Sequence, residues 1–155
     1  AGSGSDFRAG SGSDFTLEIL GKEAPVCLVR DVEQLMRLES RTVDILDYRT
    51  SCCTQSDYRR GYRTLVALNE QGKLLAACWF VSWSGRHLNY LYCPAFATRR
   101  EFRGQGIDEA MMAELKAIAD GGQVVIAAAL GSVALWQRWG FCRCHKGRED
   151  EWAWA

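Results

Sequence analysis

The residues best suited to chemistry in this chain are Phe102-Arg103-Gly104-Gln105-Gly106-Ile107-Asp108, a glycine-containing stretch that runs straight into an amphipathic pattern. Ile107, Ala110, Met111, Leu115, Ile118 and Ala119 recur at three- and four-residue spacing, while Asp108, Glu109, Glu114, Lys116 and Asp120 take the other face. That periodicity predicts a helix with one side in the core. The first turn of such a helix presents N–H groups without intrahelical partners at the positive end of the dipole. Gly104 and Gly106 carry no side chain to obstruct a close approach, so the turn has the outline of a cradle for pyrophosphate. A plain strand-to-helix connection uses the same residue types, and the flanking elements must decide between the two.

Extended apolar residues precede the turn from His87 to Thr98, and a second apolar run follows the helix from Gln123 to Leu130. The order is strand, glycine turn, helix, strand. Ala134 to Phe141 reads as a short helix stopped by Gly140 and entering another strand at Phe141. Upstream, Val26 to Val29 reads as a short strand, with Asp31 as N-cap and Gln34 as capping partner of a helix carrying Leu35, Met36 and Leu38. Thr64 to Leu68 and Leu74 to Trp83 flank the turn residues Asn69-Glu70-Gln71-Gly72 and should pair antiparallel. The second run has little polar alternation, which predicts a central strand covered on both faces. Glu149 to Ala155 places Trp152 and Trp154 on one face of a terminal strand, for packing or for contact in a homodimer.

With those elements in order, two motifs carry a resemblance. Arg103 to Gly106 resembles the Arg-x-x-Gly-x-Gly/Ala signature of the GCN5-related N-acetyltransferases, the GNAT family, and Ala134 to Phe141 is similar to their later Ala-x-x-x-Tyr-x-x-x-Gly-Phe-like element. A looser resemblance extends from about Val26 to the C-terminus. It implies an α/β fold, GNAT-like, with a mixed, mostly antiparallel central sheet flanked by helices. The implied function is acetyl-CoA-dependent transfer of acetyl directly to a primary amine, on a small molecule or on a protein or peptide. A degenerate relative is the alternative, one that binds an acyl-CoA or serves as an interaction module without catalysis. Three positions depart from the pattern. Asp108 stands where the signature has glycine or alanine, Trp136 stands where the later motif has a tyrosine able to protonate the departing thiolate, and Ala128-Ala129-Leu130-Gly131-Ser132 lacks the asparagine often found there.

The resemblance places the pantetheine arm of acetyl-CoA along Phe96, Ala97 and Thr98, and its pyrophosphate over Arg103, Gly104, Gln105, Gly106, Ile107 and Asp108. Acetyl transfer needs a neutral amine beside the thioester, a route for its proton and donors for the oxyanion. Candidates for proton handling on or near the preceding strand are His87, Tyr90, Tyr92 and Cys93, with Glu101 just before the turn; Trp136 occupies the usual tyrosine position of the catalytic site, and its indole is no comparable acid. His87 has the most suitable ordinary pKa, about 6.5, though a strand-edge histidine is commonly structural. Tyr90 and Tyr92 share a face two residues apart, where core packing competes with catalysis. Asp108 and Glu109 bring carboxylates near the proposed phosphates, a repulsion avoided only if they point elsewhere.

Composition sets the remaining bounds. A chain of 155 residues is one domain, able to bury roughly two thirds of its unfolded surface without disulfide or metal staples. Ala1 to Phe7 recurs as Ala9 to Phe15, a flexible composition with the look of vector-derived linker, so residues 1–16 are set apart from a single domain over 17–155. Lysine plus arginine and aspartate plus glutamate both number 19, a balance that gives no global attraction to nucleic acid or to an anionic membrane. Tyr48-Arg49, Tyr58-Arg59-Arg60 and Tyr62-Arg63 interleave aromatic and cationic groups that could stack on bases or border the acceptor, but no RNA-binding motif accompanies them. No run approaches the ~20 apolar residues of a membrane span, and no secretory signal is evident, which points to the cytoplasm. The seven cysteines are odd in number and scattered, as reduced thiols would be. Cys142-Arg143-Cys144-His145 offers ligands too close together for zinc, and no metal is expected.

Overall fold

A computed structural model of the chain describes residues 14–21, 23–40, 63–84, 89–127, 133–143 and 151–154. Among these, seven strands form one sheet: β1 (Phe15–Ile19), β2 (Arg63–Asn69), β3 (Leu74–Ser84), β4 (Asn89–Thr98), β5 (Gln123–Ala127), β6 (Cys142–Arg143) and β7 (Glu151–Trp154). Their order across the sheet is β1-β2-β3-β4-β5-β7-β6. Neighbours are antiparallel except β4 and β5, which run parallel. The helices are α1 (Val26–Glu39), α2 (Ile107–Ala119) and α3 (Val133–Arg138), with a 3-10 turn at Arg100–Phe102. The mixed, mostly antiparallel sheet flanked by helices is the architecture expected.

Two boundaries differ from the sequence reading. The first strand is not Val26 to Val29; those residues form the first turn of α1, where the N–H groups of Leu28 and Val29 donate to the Pro25 carbonyl. Leu28, Val29, Val32, Leu35 and Met36 all pack on the core, a three- and four-residue spacing that a strand could not use. Pro25, locked near φ −58°, pre-sets the helix start, and Asp31 lies inside the helix, not at its cap. The first strand is instead β1, and it includes Phe15 and Thr16 of the segment set apart as linker. Phe15 pairs with Asn69 and is buried.

The β2–β3 hairpin forms as its turn chemistry requires. The Asn69 Oδ1 accepts from the N–H groups of Gln71 and Lys73, at 2.9 and 2.8 Å, and Gly72 takes φ +78°. From Leu74 to Val81 every residue of β3 is buried, as a central strand covered on both faces must be. One core layer lies under α2 and α3, with Ile107, Met111 and Leu115 buried against Leu91, Cys93 and Phe96. The other lies under α1, against Ala95 and Ala97.

A bulge in β4 decides which residues reach which layer. Trp79 pairs with Ala95 but Val81 pairs with Tyr92, so two steps on β3 face three on β4. Leu91 and Cys93 therefore share the α2 face with Phe96, not with Ala95. One extra residue reverses the inward and outward sense of everything beyond it. Pro94 sits in that extra stretch, where its missing N–H costs the ladder nothing.

Candidate active site

The parallel pairing of β4 with β5 runs from Tyr90–Gln123 to Cys93–Ile126, while β4 continues to Thr98 on its β3 side. Beyond the bulge, the edge of β4 that faced β5 meets a different neighbour, Ser40, in an isolated bridge at Ala97. The glycine turn follows directly from this end of β4. It is fastened to the start of β3: the Arg99 N–H donates to the Leu75 carbonyl at 2.9 Å, and Arg99 Nε donates to that of Leu74 at 2.6 Å. The Lys73 ammonium stands 5.3 Å from the centre of the Phe102 ring, a further tie of ordinary cation–π length.

Gly104 and Gly106 both adopt left-handed backbone, φ +79° and +86°. A β-carbon at Gly104 would meet no atom within 4 Å, so glycine is required there by conformation and the space beside it is open. The Ala110 N–H is bonded to the Gly106 carbonyl at 3.1 Å. The N–H groups of Ile107, Asp108 and Glu109 precede that bond, in the first turn, where a helix offers donors to an outside acceptor.

Asp108 turns away from this opening. It is buried, and its Oδ1 accepts a hydrogen bond from Thr98 Oγ1, itself fully buried. The carboxylate thus lies between β4 and α2, behind the first turn. The Thr98 carbonyl also accepts from Arg103 Nε at 3.4 Å. Arg103 Nη2 donates to Glu39 Oε2 at 2.6 Å, and Arg100 Nε lies 3.8 Å from Glu39 Oε1. Thr98, Arg103, Gly104, Gly106 and Asp108, all expected at the site, are therefore brought together. Sequence reasoning missed Glu39 and Ser40. The available signal was weak: a carboxylate in the last turn of a helix, where the dipole disfavours it.

The second half of the region is aromatic. Trp136 is 0 % exposed, and its ring centre lies 5.5 Å from Phe96, 5.3 Å from Trp139 and 5.2 Å from Phe141, each in edge-to-face geometry. This is the preferred arrangement for such pairs, worth about 0.5–1.5 kcal/mol each beyond burial. Lys116 Nζ donates to the Trp139 carbonyl at 3.3 Å, tying α2 to the end of α3, and burial pushes its ammonium below the usual lysine range.

Among the described residues, the proton-handling candidates are not gathered at one point. Tyr90 and Tyr92 alternate with Leu91 and Cys93 along β4 and so leave the sheet on the face opposite Trp136. Tyr92 is buried and Tyr90 half-buried. Cys93 is buried with Sγ 3.3 Å from the Ala95 carbonyl. Glu101 is exposed, its carbonyl accepting from Gln105 Nε2 at 3.3 Å. His87 and the Tyr48 to Tyr62 segment lie outside the described residues, as do Cys144 and His145. Among the described residues no group of three histidine, cysteine, aspartate or glutamate side chains is disposed to hold a metal, and no helix is long and apolar enough to cross a membrane.

No curated protein matches the chain in sequence. Among solved structures, an acetyltransferase of Trypanosoma brucei aligns with TM-score 0.63 and 17% identity over 87% of this chain and 96% of its own. GCN5 of Tetrahymena aligns with TM-score 0.64 and 10% identity over 89% and 94%. AtaT, in its complex with acetyl-methionyl-tRNAfMet, aligns with TM-score 0.63 and 13% identity over 91% and 94%. Such identities establish the fold. The model of the acetyltransferase (GNAT) family matches residues 29–141, which takes in β2 to β5, the glycine turn and all of α2 and α3. This chain is a member of the GNAT family of acetyltransferases.

Proposed function

We propose that the protein is an acetyl-CoA-dependent N-acetyltransferase of the cytoplasm, passing acetyl directly to a primary amine of a small molecule or of a protein or peptide, without a metal. The observation that carries this reading is the pair of left-handed glycines, Gly104 and Gly106, opening α2 at the end of β4. The residues present fit the cofactor. The space beside Gly104 is open, first-turn N–H groups are at hand, and of the two acids of that turn Asp108 is turned inward onto Thr98 while Glu109 is exposed to solvent. Arg103, Gly104, Gln105, Gly106, Ile107 and Asp108 would hold the pyrophosphate, chiefly through backbone donors. The backbone of Phe96, Ala97 and Thr98 would lie along the pantetheine arm. Bound there, acetyl-CoA supplies an activated acetyl thioester.

This chain's own groups then position the amine and move its proton. His87, Tyr90 and Tyr92 are the candidates for the proton; Trp136 is not a source, because indole has no comparable acid and this one is fully buried. It packs in the core layer on the α2 side of the sheet. The test is an amine screen with acetyl-CoA, read by thiol release and by mass of the product. Release that depends on one class of amine, with acetylated amine recovered, supports the reading. The buried Trp136 favours a second reading, a relative that binds acyl-CoA without catalysis. Tight binding with no transfer to any amine would select it.

A further inference from the structure

The end of α1 reaches the two features that the proposed cofactor would use. Ser40 bridges Ala97 on one edge of β4, while Ala97 pairs with Ala77 of β3 on the other. The bridge thus occupies the edge along which the pantetheine arm would run. One residue earlier, the Glu39 carboxylate holds Arg103 at 2.6 Å and approaches Arg100 at 3.8 Å. Both contacts come from adjacent residues of one helix end. Glu39 gains nothing locally from that place, since it faces the negative end of the α1 dipole; the arginines hold it. Glu39 itself lines a depression of about 270 Å³ together with Asp31, Gln34, Leu38, Arg100 and Glu101 among others, so open space adjoins the ion pair.

We infer that Glu39 and Ser40 form a latch on the cofactor groove, one that acyl-CoA must open by taking Arg103 from Glu39; the inference rests on the acetyl-CoA reading above. A diphosphate beside Arg103 would face the Glu39 carboxylate as a like charge. The closed form therefore lowers apparent affinity by the fraction of molecules in which Arg103 is engaged. The pair is partly exposed, with side chains 36% and 19% accessible, so the latch is weak. Releasing it should tighten CoA binding roughly two- to fivefold.

The test is calorimetric titration of CoA into wild type, Glu39→Gln, Glu39→Asp and Glu70→Gln, each checked for unchanged thermal unfolding. Glu70 is an exposed acid of the β2–β3 turn, outside the depression, and reports on general charge removal. Binding tightened by Glu39→Gln, with a smaller gain for Glu39→Asp and less again for Glu70→Gln, is the expected result. Equal or weaker binding by both Glu39 variants overturns the latch while leaving the cofactor reading in place, as does an equal gain from Glu70→Gln. If none of the four proteins binds CoA, the cofactor reading falls and the latch with it.

Discussion

The glycine turn and the aromatic cluster adjoin the same end of β4 and work on different physical terms. At the turn, the useful groups are backbone donors whose direction is set by φ at Gly104 and Gly106. At the cluster, Phe96, Trp136, Trp139 and Phe141 interlock with ring centres 5.2–5.9 Å apart, and none of these four side chains accepts or releases a proton readily. A backbone site tolerates an unexpected side chain such as Asp108 if that side chain turns inward. At the cluster the side chains themselves make the structure, so a change at Trp136 is felt as packing. The contrast teaches that one end of β4 joins a region set by backbone conformation to a region set by side-chain packing.

The largest expected effect breaks the aromatic half alone. Trp136→Ala removes a fully buried ring and should cost about 3–5 kcal/mol in urea unfolding. A loss below about 1 kcal/mol would show the site collapsing around the cavity more freely than close packing allows. Next comes the junction between the halves. Thr98→Val deprives the buried Asp108 carboxylate of a donor and should cost about 1–3 kcal/mol. The double variant with Asp108→Ala should cost less than the sum of the singles, and additivity would mean the two residues are not coupled.

The turn itself is sharpened by Gly106→Ala. A side chain at φ +86° is strained by about 1–2 kcal/mol, so stability should fall by that amount and CoA binding should weaken, as calorimetry would read. The smallest effect is a pH dependence at Lys116. Burial lowers its pKa in the folded protein below 10.5, so the unfolded chain holds the proton more firmly. The charged lysine therefore opposes folding below its folded pKa, and that opposition fades as pH rises toward 10.5. Lys116→Met should remove this component. The stability gap between variant and wild type, followed by unfolding across alkaline pH, should change in that window; a constant gap would contradict the assignment.

The glycine turn, α2 and the β2–β3 hairpin were legible in the sequence because each is set locally, by periodicity or by turn chemistry. The start of the chain was not. Val26 to Val29 is a short apolar run that suits strand and helix equally, and only its continuation through Val32, Leu35 and Met36 against the sheet decides for helix. Phe15 was hidden inside a repeat, although its burial against β2 makes it part of the sheet. The direction of Asp108 depends on Thr98, ten residues away on another element, and the Glu39–Arg103 pair spans 64 residues. Neither is visible to local pattern. The bulge that carries Phe96 to the α2 face was signalled only by Pro94 within an otherwise strand-like run.

The central claim, that the glycine turn holds acetyl-CoA, is tested most directly by calorimetric titration of the folded protein with acetyl-CoA, with CoA and ATP as controls and Gly106→Val alongside. Micromolar binding selective for the two CoA species, and lost in Gly106→Val, is the predicted result. No binding by a protein shown to be folded, or binding that Gly106→Val leaves unchanged, would contradict it.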